Sequence, residues 1–308
     1  MKKIILDCDP GADDVLALLF ALGCPELELL AVTVVAGNRR AELCAGNALK
    51  ILEHCGRTDV PVYIGARDPL VRVLPKDDVY SGRDGMAEMF LPESSAQPQP
   101  ENGVEMLCRL TAQYPGEVTV LSTAPMTNLA LALRTAPEFA RNVKEIVTIN
   151  GSYGVAVNPQ RKDSRIEWNV LVDPEAAKIV LESGVPVTAL GIDVTGQLTN
   201  DLHQALIDHA TPGSTEQKML LDAETFLRGR GIQPAGLYVD AMAVAYVLEP
   251  SIAQLVSGKV AVETCGEVTT GYTRFDNVGN IRNDSQVQAA WSFDMQRYRE
   301  LLSERAFC

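Results

Sequence analysis

Four carboxylates stand within eight residues near the start of the chain, in the run Asp7-Cys8-Asp9-Pro10-Gly11-Ala12-Asp13-Asp14. Carboxylates this close repel one another at neutral pH unless positive charge compensates them. A helix opening at Asp13 supplies only a partial positive charge. A bound divalent cation supplies the rest, and an all-oxygen cluster suits Ca2+ or Mg2+ rather than zinc. In such a place a cation polarises water and a carboxylate takes its proton. A solvated helix start explains Asp13 and Asp14 alone. Adding Asp7 and Asp9 makes that explanation insufficient, and strand alternation would turn Asp7 and Asp9 to the same side.

These residues need a strand before them and a helix after them, and the pattern provides both. Residues 4–6 read as a strand and residues 13–22 as a helix. Apolar, β-rich runs recur at 29–35, 62–64, 118–121, 145–149 and 185–190, with helical spacing at 41–55, 126–134 and 174–182 between them. Such alternation predicts an α/β fold, Rossmann-like, with a mainly parallel central sheet and helices on both faces. Residues 260–262 and 267–273 read as a small antiparallel addition, and 295–302 as a closing helix. Ligands of such sheets bind beyond the carboxyl ends of the strands, where the acidic run lies. Two long irregular stretches, 65–100 and 150–166, read as functional loops. No repeat, linker or low-complexity segment divides the chain, so residues 1–308 read as a single domain.

Composition narrows the function. The 308 residues hold 27 Lys and Arg against 40 Asp and Glu, a net charge of −13. That argues against duplex nucleic acid and against an anionic membrane surface as partners. No apolar run is long enough to span a bilayer. The first residues read as a strand rather than a signal peptide. The seven scattered cysteines lack CxxC spacing, so reduced thiols in a cytoplasm are expected. The three histidines, His54, His203 and His209, lie outside the acidic run and read as surface or packing residues.

An apolar strand ending in Asp-x-Asp also opens haloacid-dehalogenase-type Mg2+ phosphatases. Those enzymes place their further acidic pair late in the chain. Here it follows Asp9 by four and five residues.

Five ordered blocks carry a more specific resemblance. They are residues 6–14 (LDCDPGADD), 34–38 (VVAGN), 122–128 (STAPMTN), 167–177 (EWNVLVDPEAA) and 239–246 (VDAMAVAY). Together they resemble the inosine–uridine nucleoside hydrolases over nearly the whole chain. The resemblance implies hydrolysis of the N-glycosidic bond of ribonucleosides to ribose and free base, with a Ca2+-bound water. It implies Asp9, Asp14, the backbone carbonyl of Thr123 and Asp240 as metal ligands, with Asp7 behind them. It implies Asp9 as the general base. Asp13, Asn38, Asn158, Glu167 and Asn169 would hold the sugar, and the aromatic Trp168 would lie near it. It also implies a homo-tetramer or homo-dimer. Read without the resemblance, Asp240 and Asp173 are helix caps, Asn38 is a turn residue and Trp168 packs in a core.

The chain departs from that pattern where the family commonly carries histidines. Those places are Ser81, Gly196 and Val239. The ribose-and-metal half of the site is therefore expected to be intact and the base-recognition half altered. Tyr238, Arg228 and Arg230 lie nearby in sequence as substitute donors. A non-catalytic ribose- or nucleoside-binding protein is the alternative that the missing histidines favour.

Overall fold

The computed structural model describes residues 1–75, 80–155 and 166–306. Nine strands form one sheet: β1 (Lys2–Cys8), β2 (Leu27–Val34), β3 (Val62–Ile64), β4 (Val118–Ser122), β5 (Glu145–Thr148), β6 (Pro186–Ala189), β7 (Ala253–Val262), β8 (Thr273–Asp276) and β9 (Gln286–Phe293). Their order is β3-β2-β1-β4-β5-β6-β9-β7-β8. The pairs from β3 through β6 to β9 are parallel, whereas β7 runs antiparallel to both β9 and β8. The α/β reading with an antiparallel addition is thus borne out. One strand of that addition lies further on than expected. Residues 267–270 form a turn, and β8 begins at Thr273. β9 has no counterpart in the sequence reading, because Ser292, Trp291 and the glutamines 286 and 288 dilute its apolar pattern.

The central strands are buried on both faces, as parallel strands covered by helices must be. In β1 the alternation is direct: Ile4, Leu6 and Cys8 pack into one core and Ile5 into the other. The helix Ala12–Leu22 carries Val15, Leu16, Leu18, Leu19 and Phe20, all buried. Each contributes about 1.5–3 kcal/mol of burial. With apolar residues all round, this helix has to lie inside, and it packs against the equally apolar Ala241–Leu248. Those two helices begin with Asp13–Asp14 and just after Asp240, so the core packing that joins them also joins their acidic ends.

The chain runs outward from β1 to β2 and β3, then returns to lay β4 on the other side of β1. That reversal opens a crevice at the carboxyl ends of β1 and β4. Asp7 pairs in register with Ser122 of β4 and Thr33 of β2, which places it at the crevice floor.

Among the described residues no helix is long and apolar enough to cross a membrane. Five described cysteines, Cys8, Cys24, Cys44, Cys108 and Cys265, are free thiols.

Candidate active site

β1 ends at Cys8, so strand alternation stops governing the chain before Asp9, and Asp7 and Asp9 find different partners. Asp7 Oδ1 accepts from Thr33 Oγ1 at 2.7 Å and from Asn128 Nδ2 at 2.8 Å. Its Oδ2 is buried with no partner. Asp9 Oδ2 accepts the backbone N–H of Asn38, and the Asn38 side-chain amide donates to the Asp9 carbonyl at 3.3 Å. Asp9 Oδ1 is buried and unpartnered. Gly37 makes this grip possible, since a Cβ there would collide with Asp9 Oδ2.

Asp14 sits in the first turn of the helix Ala12–Leu22. Its Oδ2 accepts from Gly11 N at 3.0 Å and its Oδ1 from Thr123 Oγ1 at 2.7 Å. The Thr123 carbonyl in turn accepts from Asn169 Nδ2 at 2.9 Å, and the same amide donates to Ile149 O at 3.1 Å. Asp240 holds the cap position of Ala241–Leu248, yet its side chain makes no capping hydrogen bond. It is buried instead, with a carboxylate oxygen that falls within 4.8 Å of oxygens from Asp13 and Asp14. Asp173, by contrast, is the cap it was read as: it accepts from Ala176 N at 3.0 Å, with Pro174 opening the helix.

Burial and mutual repulsion push these acids upward. Burial raises Asp14 to about 6 and Asp7 to about 7. Asp9 is held well above the usual carboxylate range by burial and then by Asp14. Asp240 is held there too, by burial and then by Asp13, Asp14, Asp9 and Glu167. Buried carboxylates that repel one another, two of them with an unused oxygen, are a donor set that fits a hard divalent cation. Among the described residues, Asp13, Asp14 and Asp240 each bring a carboxylate oxygen within 4.8 Å of the others.

Beside this cluster a cavity of about 520 Å3 opens, with Asp13, Glu167 and Trp168 in its wall. The rest of the wall is mostly apolar or small, including Ile149, Leu190, Leu198, Ile232 and Gly236. A volume of this size admits a nucleoside-sized ligand. Glu167 caps the short helix Trp168–Val172 by accepting from Asn169 N at 2.8 Å and Val170 N at 3.0 Å, and it also accepts from Gly151 N at 3.2 Å. Burial raises it to about 7. The Trp168 indole Nε1 is buried without an acceptor.

The described structure therefore gathers Asp7, Asp9, Asp13, Asp14, Asn38, Thr123, Glu167, Trp168, Asn169 and Asp240 about one crevice. Asn158 lies outside the described residues. Of the three departures, Gly196 and Val239 do line the cavity, while Ser81 is buried and its neighbour Tyr80 lines the wall. The three substitute donors are not brought to it. Tyr238 is buried, with its hydroxyl 2.7 Å from His203 Nδ1. Arg228 pairs with Glu224 at 2.6 Å. Arg230 lies 3.6 Å from the Phe226 ring centroid. His203 is indeed a packing residue and His54 pairs with Glu216 at 2.8 Å. The sequence reading missed Thr33 and Asn128 as the residues that hold Asp7, although Asn128 closes the third of the five blocks.

Residues 4–300 match the family described as inosine-uridine preferring nucleoside hydrolase. The chain is 36% identical to the pyrimidine-specific ribonucleoside hydrolase RihA of Photobacterium profundum over 309 residues, covering 99% of this chain and 98% of that protein. It is 38% identical over 311 residues to the protein of the same name from Salmonella paratyphi C, covering 98% and 97%. Among solved structures it resembles a plant nucleoside hydrolase, the PpNRh1 enzyme, with a TM-score of 0.87, 31% identity and coverage of 100% and 99%. It also resembles a purine-preferring ribonucleoside hydrolase from Gardnerella vaginalis, with a TM-score of 0.86, 30% identity and coverage of 99% and 98%. With the five blocks folded into one acidic crevice and these matches running end to end, the chain belongs to the inosine-uridine preferring nucleoside hydrolase family and is a hydrolase of N-glycosyl bonds.

Proposed function

We propose that the protein hydrolyses ribonucleosides to ribose and free base by a Ca2+-dependent mechanism in which Asp9 is the general base. The observation that carries this reading is the Asp9 carboxylate: one oxygen is fixed by Asn38 and the other is buried without a partner beside Asp14. A carboxylate held by one oxygen presents the other in a defined direction, as proton abstraction requires. Asp9, Asp14, the Thr123 carbonyl and Asp240 would hold the ion, with Asp7 supporting from behind. When bound, the cation supplies positive charge that keeps these acids ionised, polarises water and orients the ribose diol.

The remaining chemistry belongs to the chain. Asp9 Oδ1 takes the proton of the attacking water as its oxygen bonds to C1′. The C1′–N bond breaks and its electron pair leaves with the base. Asp13 and Glu167 face the sugar, and their negative charge stabilises the positive charge that develops on an oxocarbenium-like ribose. Asn38, Asn158 and Asn169 complete the sugar-binding set in this reading, and residues 1–308 act as one domain. A homo-tetramer or homo-dimer and a cytoplasmic setting belong to the same proposal. The names of the curated relatives favour pyrimidine ribonucleosides as substrates.

The test is ribose release from a panel of pyrimidine and purine ribonucleosides, before metal stripping, after it, and after Ca2+ is restored. Calcium-dependent release is expected. Asp9→Asn is expected to abolish turnover while ribose binding survives. Turnover that persists in Asp9→Asn removes Asp9 from the role. Full loss of ribose binding in that variant would point to a binding role instead.

A further inference from the structure

Asp14 is gripped on one side by Gly11 N, and that N–H belongs to the same planar peptide unit as the Pro10 carbonyl. Whatever orients the Pro10 carbonyl therefore also aims the Gly11 N–H. The residue that does so is Asn47, on the helix Ala41–His54. Its side-chain amide donates to Pro10 O at 3.1 Å and to Asp84 O at 3.0 Å. Asn47 is fully buried, and both of its amide hydrogens go to carbonyls of two different loops. Its own carbonyl oxygen, Oδ1, is buried with no partner. An unpaired buried oxygen is costly, and an apolar side chain of the same shape would avoid it. What the position gains from an asparagine is thus the two donors rather than packing.

The loop at the far end of this bridge is closed on itself. Asp84 Oδ1 accepts from Met86 N at 2.8 Å and Glu88 N at 2.9 Å, its Oδ2 from Phe90 N at 3.2 Å, and the Ser81 carbonyl from Ala87 N at 2.8 Å. Ala87, Glu88 and Phe90 take left-handed backbone angles, with φ +53°, +64° and +46°. Such angles are strained for residues other than glycine and persist only where the surroundings hold them. Gly85, at φ +82°, lets the loop come up to the helix, since a Cβ there would stand 3.0 Å from Asn47 Nδ2. Tyr80, just before the loop, lines the cavity.

Resting on the reading of the acidic crevice as a divalent-cation site, we propose that Asn47 is a positioning residue for that site. It fixes the Pro10–Gly11 peptide unit, and through it Asp14, and it locks the same unit to the 81–90 loop. The orientation of Asp14 and the strained shape of the loop then hold or loosen together. Asn47 acts through two backbone carbonyls and needs no contact of its own with cation or substrate.

Asn47→Leu keeps the volume and removes both donors. Ile51→Val, one turn further along the same helix and buried in the core, is the control for a general loosening of that helix. Calcium affinity by calorimetric titration is expected to fall on the order of tenfold in Asn47→Leu and to stay within about twofold of the wild type in Ile51→Val. An unchanged affinity in Asn47→Leu would overturn the proposal, and so would an equal loss in both variants. Amide hydrogen exchange in chelator reads the same contacts without cation or turnover. Exchange in residues 11–14 and in residues 81–90 is expected to speed up together in Asn47→Leu and to stay as in the wild type in Ile51→Val. Unchanged exchange in Asn47→Leu, or a change confined to one of the two segments, rejects the proposal as well. If the wild type binds no calcium, the cation reading fails by itself, and the exchange pattern still decides whether Asn47 ties the two segments. If Asn47→Leu does not fold, Asn47→Ala is put through the same measurements.

Discussion

Thr123 and Asp14, separated by 109 positions in sequence, are joined by a 2.7 Å hydrogen bond from the threonine hydroxyl to Asp14 Oδ1. The bond ties the carboxyl end of β4 to the first turn of the helix that follows β1. It spans the crevice at which the strand order reverses. With Gly11 N on its other oxygen, Asp14 has no freedom to turn away from Asp13 and Asp240. The fold thus fixes the position of an acid that repulsion would otherwise expel.

Thr123→Val removes the hydroxyl and keeps the β-branched shape. Asp14 Oδ1 is then buried without its donor, which costs about 1–3 kcal/mol. Calcium affinity is expected to fall about tenfold as Asp14 loses its orientation. Urea unfolding with and without Ca2+, together with calcium titration, checks both parts. An unchanged calcium affinity would show that the Thr123 hydroxyl does not hold Asp14 in its cation-binding position.

The pH dependence of stability follows from the raised acids. Asp14 at about 6, Asp7 at about 7 and Glu167 at about 7 all hold their protons more tightly in the folded chain than in the unfolded one. Between the ordinary carboxylate range and pH 7 the folded state therefore binds more protons. Stability in a chelator is expected to fall as pH rises through that window. Calcium reverses the trend at neutral pH, adding about 2.7 kcal/mol at a concentration a hundred times its Kd. Urea midpoints from pH 4 to 8, in chelator and in excess Ca2+, give the two curves. A chelated protein whose stability rises over this range would contradict the burial of these groups.

The sequence made the acidic run and the parallel sheet readable for one physical reason: both are local. Alternation of β-rich and helical stretches marks β1 to β6, and the carboxylates of residues 7–14 follow directly from one strand end. Asp240 was harder, because its position at a helix start is equally suited to capping. Only the absence of a capping bond in the fold separates the two roles. Thr33 and Asn128 went unread as partners of Asp7 because they come from a neighbouring strand and from a helix 121 residues away. Proximity in sequence also misled, since Tyr238 adjoins Val239 in the chain while its ring is buried against His203.

Tyr238 offers the sharpest contrast between a structural and a chemical residue. Its hydroxyl lies 2.7 Å from His203 Nδ1, and its carbonyl accepts from Tyr298 Oη at 2.5 Å. Burial pushes the phenol upward and pushes His203 downward, disfavouring the charged form of each. Tyr238→Phe keeps the ring and removes one buried hydrogen bond, leaving His203 Nδ1 unpaired. A loss of about 1–2 kcal/mol in unfolding free energy is expected. The kcat/KM for ribonucleosides is expected to stay within a factor of two or so of the wild type, because no atom of the pair lines the cavity wall described here. A large fall in kcat with unchanged stability would instead make the phenol the missing donor to the leaving base, and the apolar wall at Val239 would then have to open toward it.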